Sequence, residues 1–285
     1  MKTIILILSF IAGTSYAQPL AWVYSIGGTG TEFDNDVKTD SEGNIYEAGY
    51  FSGIADFDPG VDELLIEADG FSDAYIQKTN SNGELLWVHT YSSEGINNIF
   101  SICISSENEV YATGQFNGTL DFDASVDEFN VTPTGLSDCF VLKLDQDGNF
   151  LWVKTFGSEG TSRGISINEG PLQNVFITGA FTHSMDVDPT DAIEILTSNG
   201  EEDMFALKLT EEGELVWGIS IGSETNNESG SYMVLDDFGN MYVTGPMLAN
   251  DVDFDPGPEE FLLSAEGNSG FYLLKLDTDG NFLWV

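Results

Sequence analysis

Three observations predict an all-β chain, a β-propeller of four-stranded antiparallel blades: an evenly spaced tryptophan, stretches of alternating large and small side chains around it, and glycine-bearing turns between those stretches. The tryptophans are Trp22, Trp87, Trp152, Trp217 and Trp284, at intervals of 65, 65, 65 and 67 residues, and no Trp lies outside the series. A period this regular means one supersecondary unit used several times, with units of about 22–86, 87–151, 152–216 and 217–283 over a repeat region of 18–285.

The Trp strand comes first in each unit. Leu20 to Ile26 places large side chains at every second position, and the pattern returns over Leu85–Tyr91, Phe150–Phe156, Leu215–Ile221 and, last, Phe282–Val285. Polar loops such as Gly27-Gly28-Thr29-Gly30 follow, with no helical pattern behind them, so they read as connections rather than phosphate cradles. A second strand is expected over Asn35–Thr39, Phe100–Ser105, Gly164–Asn168 and Ser231–Asp236. The turns after it, Ser41-Glu42-Gly43-Asn44 and Asp237-Phe238-Gly239-Asn240, put glycine where a hairpin needs positive φ.

The third strand covers Ile45–Phe51, Val110–Phe116, Val175–Phe181 and Met241–Met247, and its fifth residue is glycine each time: Gly49, Gly114, Gly179, Gly245. Glycine weakens a strand, so its recurrence predicts a group lying against bare backbone, an aromatic ring, with the repeat Trp as the candidate. The final strand covers Ala74–Thr79, Cys139–Leu144, Met204–Leu209 and Phe271–Leu276, each copy with an aromatic second residue and a lysine fifth. Four strands with apolar residues on both faces describe a sheet buried between two neighbours, which is a blade; a linear solenoid of stacked sheets is the competing architecture. Five Trp strands against four sets of the other strands imply one N-terminal outer strand and further blades beyond Val285.

Between the last two strands each unit carries an acidic insertion, and its Asp-x-Asp pairs are the candidate site. They are Asp56 and Asp58, Asp121 and Asp123, Asp186 and Asp188, Asp253 and Asp255. Residues i and i+2 of an extended segment point to one side, which brings two carboxylates together and suits calcium if further oxygens come from the loop. The structural alternative has the carboxylates holding backbone N–H groups of a turn or pairing with the recurrent lysine. Asp145-Gln146-Asp147-Gly148-Asn149 starts like a calcium loop, but Trp152 and a strand follow at once, so a hairpin turn is expected. Neither His89 and His183 nor any pair of acids assembles into a catalytic set by spacing.

Composition narrows the function classes. Eight Lys and Arg face 48 Asp and Glu, a net charge of −40, which excludes nucleic acid and an anionic membrane surface as partners. Met1-Lys2, the apolar run Ile4–Ala12 and the small residues Ser15 and Ala17 form a secretory signal peptide over 1–17, with cleavage expected after Ala17. No later stretch is long and apolar enough for a membrane helix. Two cysteines in a secreted chain invite a disulfide, but Cys103 and Cys139 fall two strand spacings apart, roughly 9–10 Å, so buried free thiols are expected.

The order Trp-Val-x-x-x-x-Gly, then Gly-Asn-x-Tyr-x-x-Gly, then Leu-Lys-Leu-Asp-x-x-Gly-Asn-Phe-Leu-Trp resembles the bacterial SBBP repeat, named for the seven-bladed β-propeller, from Leu20 to Val285. The resemblance implies a propeller and a secreted or surface protein of a Gram-negative bacterium, of the kind exported through type IX secretion. The expected function is a non-catalytic secreted or cell-surface scaffold for binding or adhesion, with an extracellular glycan or protein as partner and no cofactor beyond possible calcium. The competing expectation is an extracellular enzyme acting on polysaccharide or peptide, with its site in further blades or an appended domain.

Overall fold

The computed structural model describes residues 22–285 apart from 191, 225–227, 248–250 and 266–268. The signal peptide and the first residues of the expected Leu20–Ile26 strand lie outside the described residues.

Four antiparallel four-stranded sheets carry the fold. Blade one comprises Glu32–Thr39, Ile45–Phe51, Asp73–Thr79 and Leu85–Tyr91; blade two Asn98–Ile104, Val110–Phe116, Asp138–Leu144 and Phe150–Phe156. Blade three comprises Ser162–Glu169, Val175–Phe181, Asp203–Leu209 and Leu215–Ile221; blade four Tyr232–Leu235, Met241–Met247, Gly270–Leu276 and Phe282–Trp284. Strands pair in chain order from the innermost to the Trp strand outside. Successive innermost strands pack on one another, which sets the sheets radially.

Burial follows from that arrangement. The third strands of blades one to three are buried at every residue: each has a sheet neighbour on both edges, those of blades two and three have a blade on both faces, and that of blade one has blade two on one face and the Ile26 segment and its own arm on the other. Cys139 lies in one of them, and both thiols are buried and free, as the strand spacing predicts. Burial pushes the Cys103 thiol up to about 11 and that of Cys139 to about 12. Phe271, at the position matching Cys139, is exposed, because no blade covers that face among the described residues.

Innermost strands begin two or three residues earlier than alternation predicts in blades one to three. Register shifts at Asp34/Asp36, Ile99/Ser101 and Gly164/Ser166 mark a bulge that breaks the period of two. In blades one to three the bulge also explains the strand glycine; the repeat Trp ring lies on none of these glycines, whereas an aromatic ring does face two of them, Phe205 at Gly179 and Tyr272 at Gly245. A Cβ at Gly114 would overlap the Asn98 carbonyl oxygen, and one at Gly49 the Phe33 carbonyl. At Gly179 the opposed Phe205 ring comes within 2.6 Å as well.

The Trp rings cover different glycines. Trp22, Trp87, Trp152 and Trp217 lie against Gly83, Gly148, Gly213 and Gly280, the hairpin glycines of the next blade, where a Cβ would meet each ring at 3.0–3.2 Å. Those glycines have φ of +78 to +86°, so turn geometry and ring contact select the same residue. The indole N–H of Trp217 donates to the Thr278 carbonyl (3.1 Å), and Trp22 does the same to Ser81 (3.0 Å). The lysine beside each Trp reaches the same turn: Lys78 Nζ donates to the Gln146 carbonyl (2.8 Å) and Lys208 to Thr278 (2.9 Å). Trp and Lys together staple each blade to its successor.

Trp22–Ile26 keeps this staple without forming a strand. Among the described residues every third strand already pairs with a Trp strand of its own blade, so none is left for this segment to join.

Candidate functional site

All turns joining the first two and the last two strands of a blade lie at one end of the propeller, and the acidic insertions lie at the other. Each insertion is a short hairpin arm: Ile54–Asp56 pairs with Leu65–Glu67, Leu120–Asp121 with Asn130–Val131, Ser184–Asp186 with Ile195–Thr197, and Val252–Asp253 with Leu262–Leu263. Gly27–Gly28, expected as loop, instead adds a third strand to the first arm, and a Cβ at Gly28 would overlap the Ile54 carbonyl.

The middle residue of each Asp-x-Asp is the anchor. Phe57, Phe122, Val187 and Phe254 are fully buried, with Phe57 edge-on to Phe51 and Tyr75 at 5.0 and 5.1 Å and Phe122 against Phe116 and Phe140 at 5.3 and 5.1 Å. Reading the motif for its carboxylates missed this; an apolar residue at that place in all four copies was the available signal.

Alternation then points both acids of each pair outward, where they organise the loop. Asp56 Oδ1 accepts from the Asp58 and Leu64 N–H groups (3.0 and 2.9 Å), and Asp58 Oδ1 accepts from Gly60 N–H (2.6 Å). Asp121 takes Asp123 and Phe129 (3.0 and 2.8 Å) while Asp123 takes Ser125 (3.0 Å). Asp186 takes Asp188 and Glu194 (3.1 and 3.0 Å), with Asp188 on Thr190 (2.9 Å). Asp253 takes Asp255 and Phe261 (3.1 and 2.9 Å), with Asp255 on Gly257 (2.8 Å). The lysines are occupied at the opposite end. Among the described residues, no group of three or more His, Cys, Asp or Glu converges as a metal shell. Asp145 likewise organises a turn, accepting from Asp147 and Asn149 N–H at 2.9 Å each.

Held this way, the arms present aliphatic tips to solvent: Val61, Val126 and Ile193 are 101%, 100% and 77% exposed. Acids flank them, including Asp62, Glu63, Asp127 and Glu128. Below the arms, where each third strand begins, Asp73, Asp138 and Asp203 are buried, and each leaves one carboxylate oxygen without a partner. Burial raises all three above the ordinary carboxylate range, against hydrogen bonds that lower them.

Blade one departs from its siblings on the face turned away from blade two, which no blade covers among the described residues. Where blades two to four have Ala112, Ile177 and Val243, it has Glu47; where they have Leu142, Leu207 and Leu274, it has Gln77. Asp34 opposes Gly49 where Ile99 opposes Gly114 and Gly164 opposes Gly179. Tyr24, Ile26, Glu32, Asp34, Glu47 and Tyr75 line a cavity of about 230 Å³ there. The Tyr24 hydroxyl donates to Glu47. Partial burial, then the charges of Glu47 and Asp36, push Asp34 up to about 6. Aligning the repeats for sameness hid this cluster; aligning them for lost apolar character would have shown it.

No family model matches the chain. An uncharacterized WD repeat-containing protein of Acanthamoeba polyphaga mimivirus is 23% identical over 249 residues, a match spanning 76% of this chain and 18% of that protein's length. A crystal structure of a protein of unknown function from Bacteroides caccae aligns over 88% of this chain and 80% of that one, at 11% identity and a TM-score of 0.34, too loose a likeness to bear on fold or function. The weak sequence likeness is to another repeat protein and agrees with the propeller seen here. Among the described residues no helix is long and apolar enough to cross a membrane.

Proposed function

We propose that the chain is a non-catalytic binding scaffold, secreted or held at the cell surface, that meets an extracellular glycan or protein with the arm end of its propeller. The observation that carries the reading is the repeated arm: in all four a buried anchor and carboxylates that hold the loop, and in three an aliphatic tip left in water. Exposed apolar residues repeated on one end of a protein with a net charge of −40 are a feature that solubility does not call for. The WD repeat-containing relative and the SBBP-like repeat support a scaffold role, and the N-terminal sequence supports export.

Two measurements test this. N-terminal sequencing of the protein recovered from its own cells is expected to start at Gln18. A variant carrying Val61→Ser, Val126→Ser and Ile193→Ser, compared with the parent on glycan arrays and immobilised surface proteins of the producing bacterium, is expected to lose the parent's binding at unchanged melting temperature. Equal binding by both proteins would end the assignment to the arms.

A further inference from the structure

At the arm end, the loops entering the third and innermost strands carry a second set of exposed apolar residues, apart from the arm tips. Phe71 is 80% exposed, Leu136 at the matching place in blade two 67%, and Ile96 in the loop beside Phe71 42%. Their backbones are fixed. Phe71 N–H donates to the Gly95 carbonyl (3.0 Å) and Asn97 N–H to Ser72 (2.9 Å), while Leu136 N–H donates to Gly160 (2.7 Å) and Ser162 N–H to Ser137 (2.9 Å). A Cβ at Gly70 or Gly135 would overlap the Ser93 or Ser158 carbonyl, so closely do the loops of successive blades approach. These residues stand at the junctions of blade one with two and of blade two with three, where both neighbours are present. Large apolar side chains held in water on an ordered backbone lose little further freedom when covered, and gain the burial.

Charge decides what can cover them. Asp69, Glu94 and Glu159 are exposed in the same loops. The described cations are committed elsewhere: the third-strand lysines are engaged at the turn end, Lys38 pairs with Asp36, and Lys154 lies over the Trp152 ring. Arg163, at the arm end, is held by both Glu202 carboxylate oxygens at 2.7 Å each. Such a surface repels nucleic acid and an anionic membrane, and a neutral glycan leaves its charge unanswered. A protein segment with large apolar side chains between lysines or arginines answers both features, covering the apolar centre while its cations face the acids of the rim.

We propose that Phe71, Ile96 and Leu136 form a docking strip across the arm end for a basic segment of a protein partner, one in which lysine or arginine flanks large apolar side chains. The inference rests on the arm end being the binding end, and it names the partner which that end takes.

The test is fluorescence anisotropy of fluorescein-labelled peptides with the intact chain at physiological salt. The heptapeptide Lys-Leu-Lys-Leu-Lys-Leu-Lys-amide is expected to bind saturably, about tenfold or more tighter than the same peptide with Ser in place of Leu or with Glu in place of Lys. Phe71→Ser combined with Leu136→Ser is expected to abolish the preference for Leu over Ser at an unchanged melting temperature, because both side chains stand in water. Phe238→Ser removes an equally exposed ring, 80%, from the turn end and is expected to leave that preference intact. Glu94→Gln with Glu159→Gln is expected to weaken binding of the leucine peptide and flatten its dependence on salt. Absence of saturable binding, equal binding of the leucine and serine peptides, or equal loss in Phe238→Ser and in the double serine variant would each overturn the proposal. Glycan binding through the arm tips by a chain that ignores the leucine peptide would sink this inference and leave the arm reading standing; loss of both would sink the two together.

Discussion

The two ends of the propeller use the same residue type, aspartate, to opposite effect. At the turn end, Asn44 and the backbone at Asn44 and Glu42 hold the Asp40 carboxyl below the ordinary range, against the larger upward pull of burial; Asp145 and Asp277 are held down in the same way. At the arm end, burial wins, and Asp73, Asp138 and Asp203 are raised. The turn end is where carboxylates, glycines, Trp and Lys satisfy one another across blades. The arm end keeps buried acids half-satisfied and hydrophobic tips in water. The contacts that join one blade to the next are concentrated at the turn end.

The largest effect that could break this comparison comes from the interior glycines that set the bulge. Gly114→Val would drive a side chain into the Asn98 carbonyl and is expected to prevent folding or cost more than about 4 kcal/mol, read by urea denaturation. Next come the anchors of each end. Trp87→Ala, which removes a staple onto Gly148, and Phe57→Ala, which removes an arm anchor, are each expected to cost about 3–5 kcal/mol. If the ends differ as described, Trp87→Ala also loosens the contact between blades one and two, whereas Phe57→Ala leaves it intact; limited proteolysis distinguishes the two.

A smaller effect is the pH dependence. A raised carboxyl binds its proton more tightly folded than unfolded, so its stabilising contribution is fully present below the unfolded value, near 4, and is lost as pH rises through the folded value, about 6 for Asp34. The lowered turn acids run the other way, contributing above the ordinary range and losing that contribution as pH falls below it. Stability from these groups should therefore decline from about pH 4 to pH 6, and Asp138→Asn should flatten that decline, as thermal melts across pH would show. The smallest effect is calcium. With one oxygen of each Asp-x-Asp carboxylate holding loop N–H groups and no convergent metal shell among the described residues, the melting temperature is expected to be equal in excess calcium and in chelator.

Much of the architecture was legible because one residue served two demands. Trp repeats at 65 because each ring must reach the next blade's turn, and the turn glycine repeats because both its φ and the ring exclude a side chain. What the sequence hid was three-dimensional. Trp22–Ile26 has strand alternation, but a Trp strand needs a third strand still unpaired, and alternation says nothing about pairing. The bulge at Asp34/Asp36 shifts the period within a strand, so innermost strands looked shorter than they are. In the arms, the eye goes to two carboxylates, while the fold buries the apolar residue between them, phenylalanine in three arms and Val187 in the other. Glu47 and Gln77 were invisible to a search for likeness because they are what blade one does not share.

Amide hydrogen exchange across the intact chain tests the contrast between the ends most directly. The slowest exchange is expected in Asp73–Thr79, Asp138–Leu144 and Asp203–Leu209 and at the hairpin glycines that follow them, with arm residues 58–64 and 123–129 exchanging orders of magnitude faster. Arms protected as strongly as those strands, or turns exchanging as freely as the arms, would contradict it.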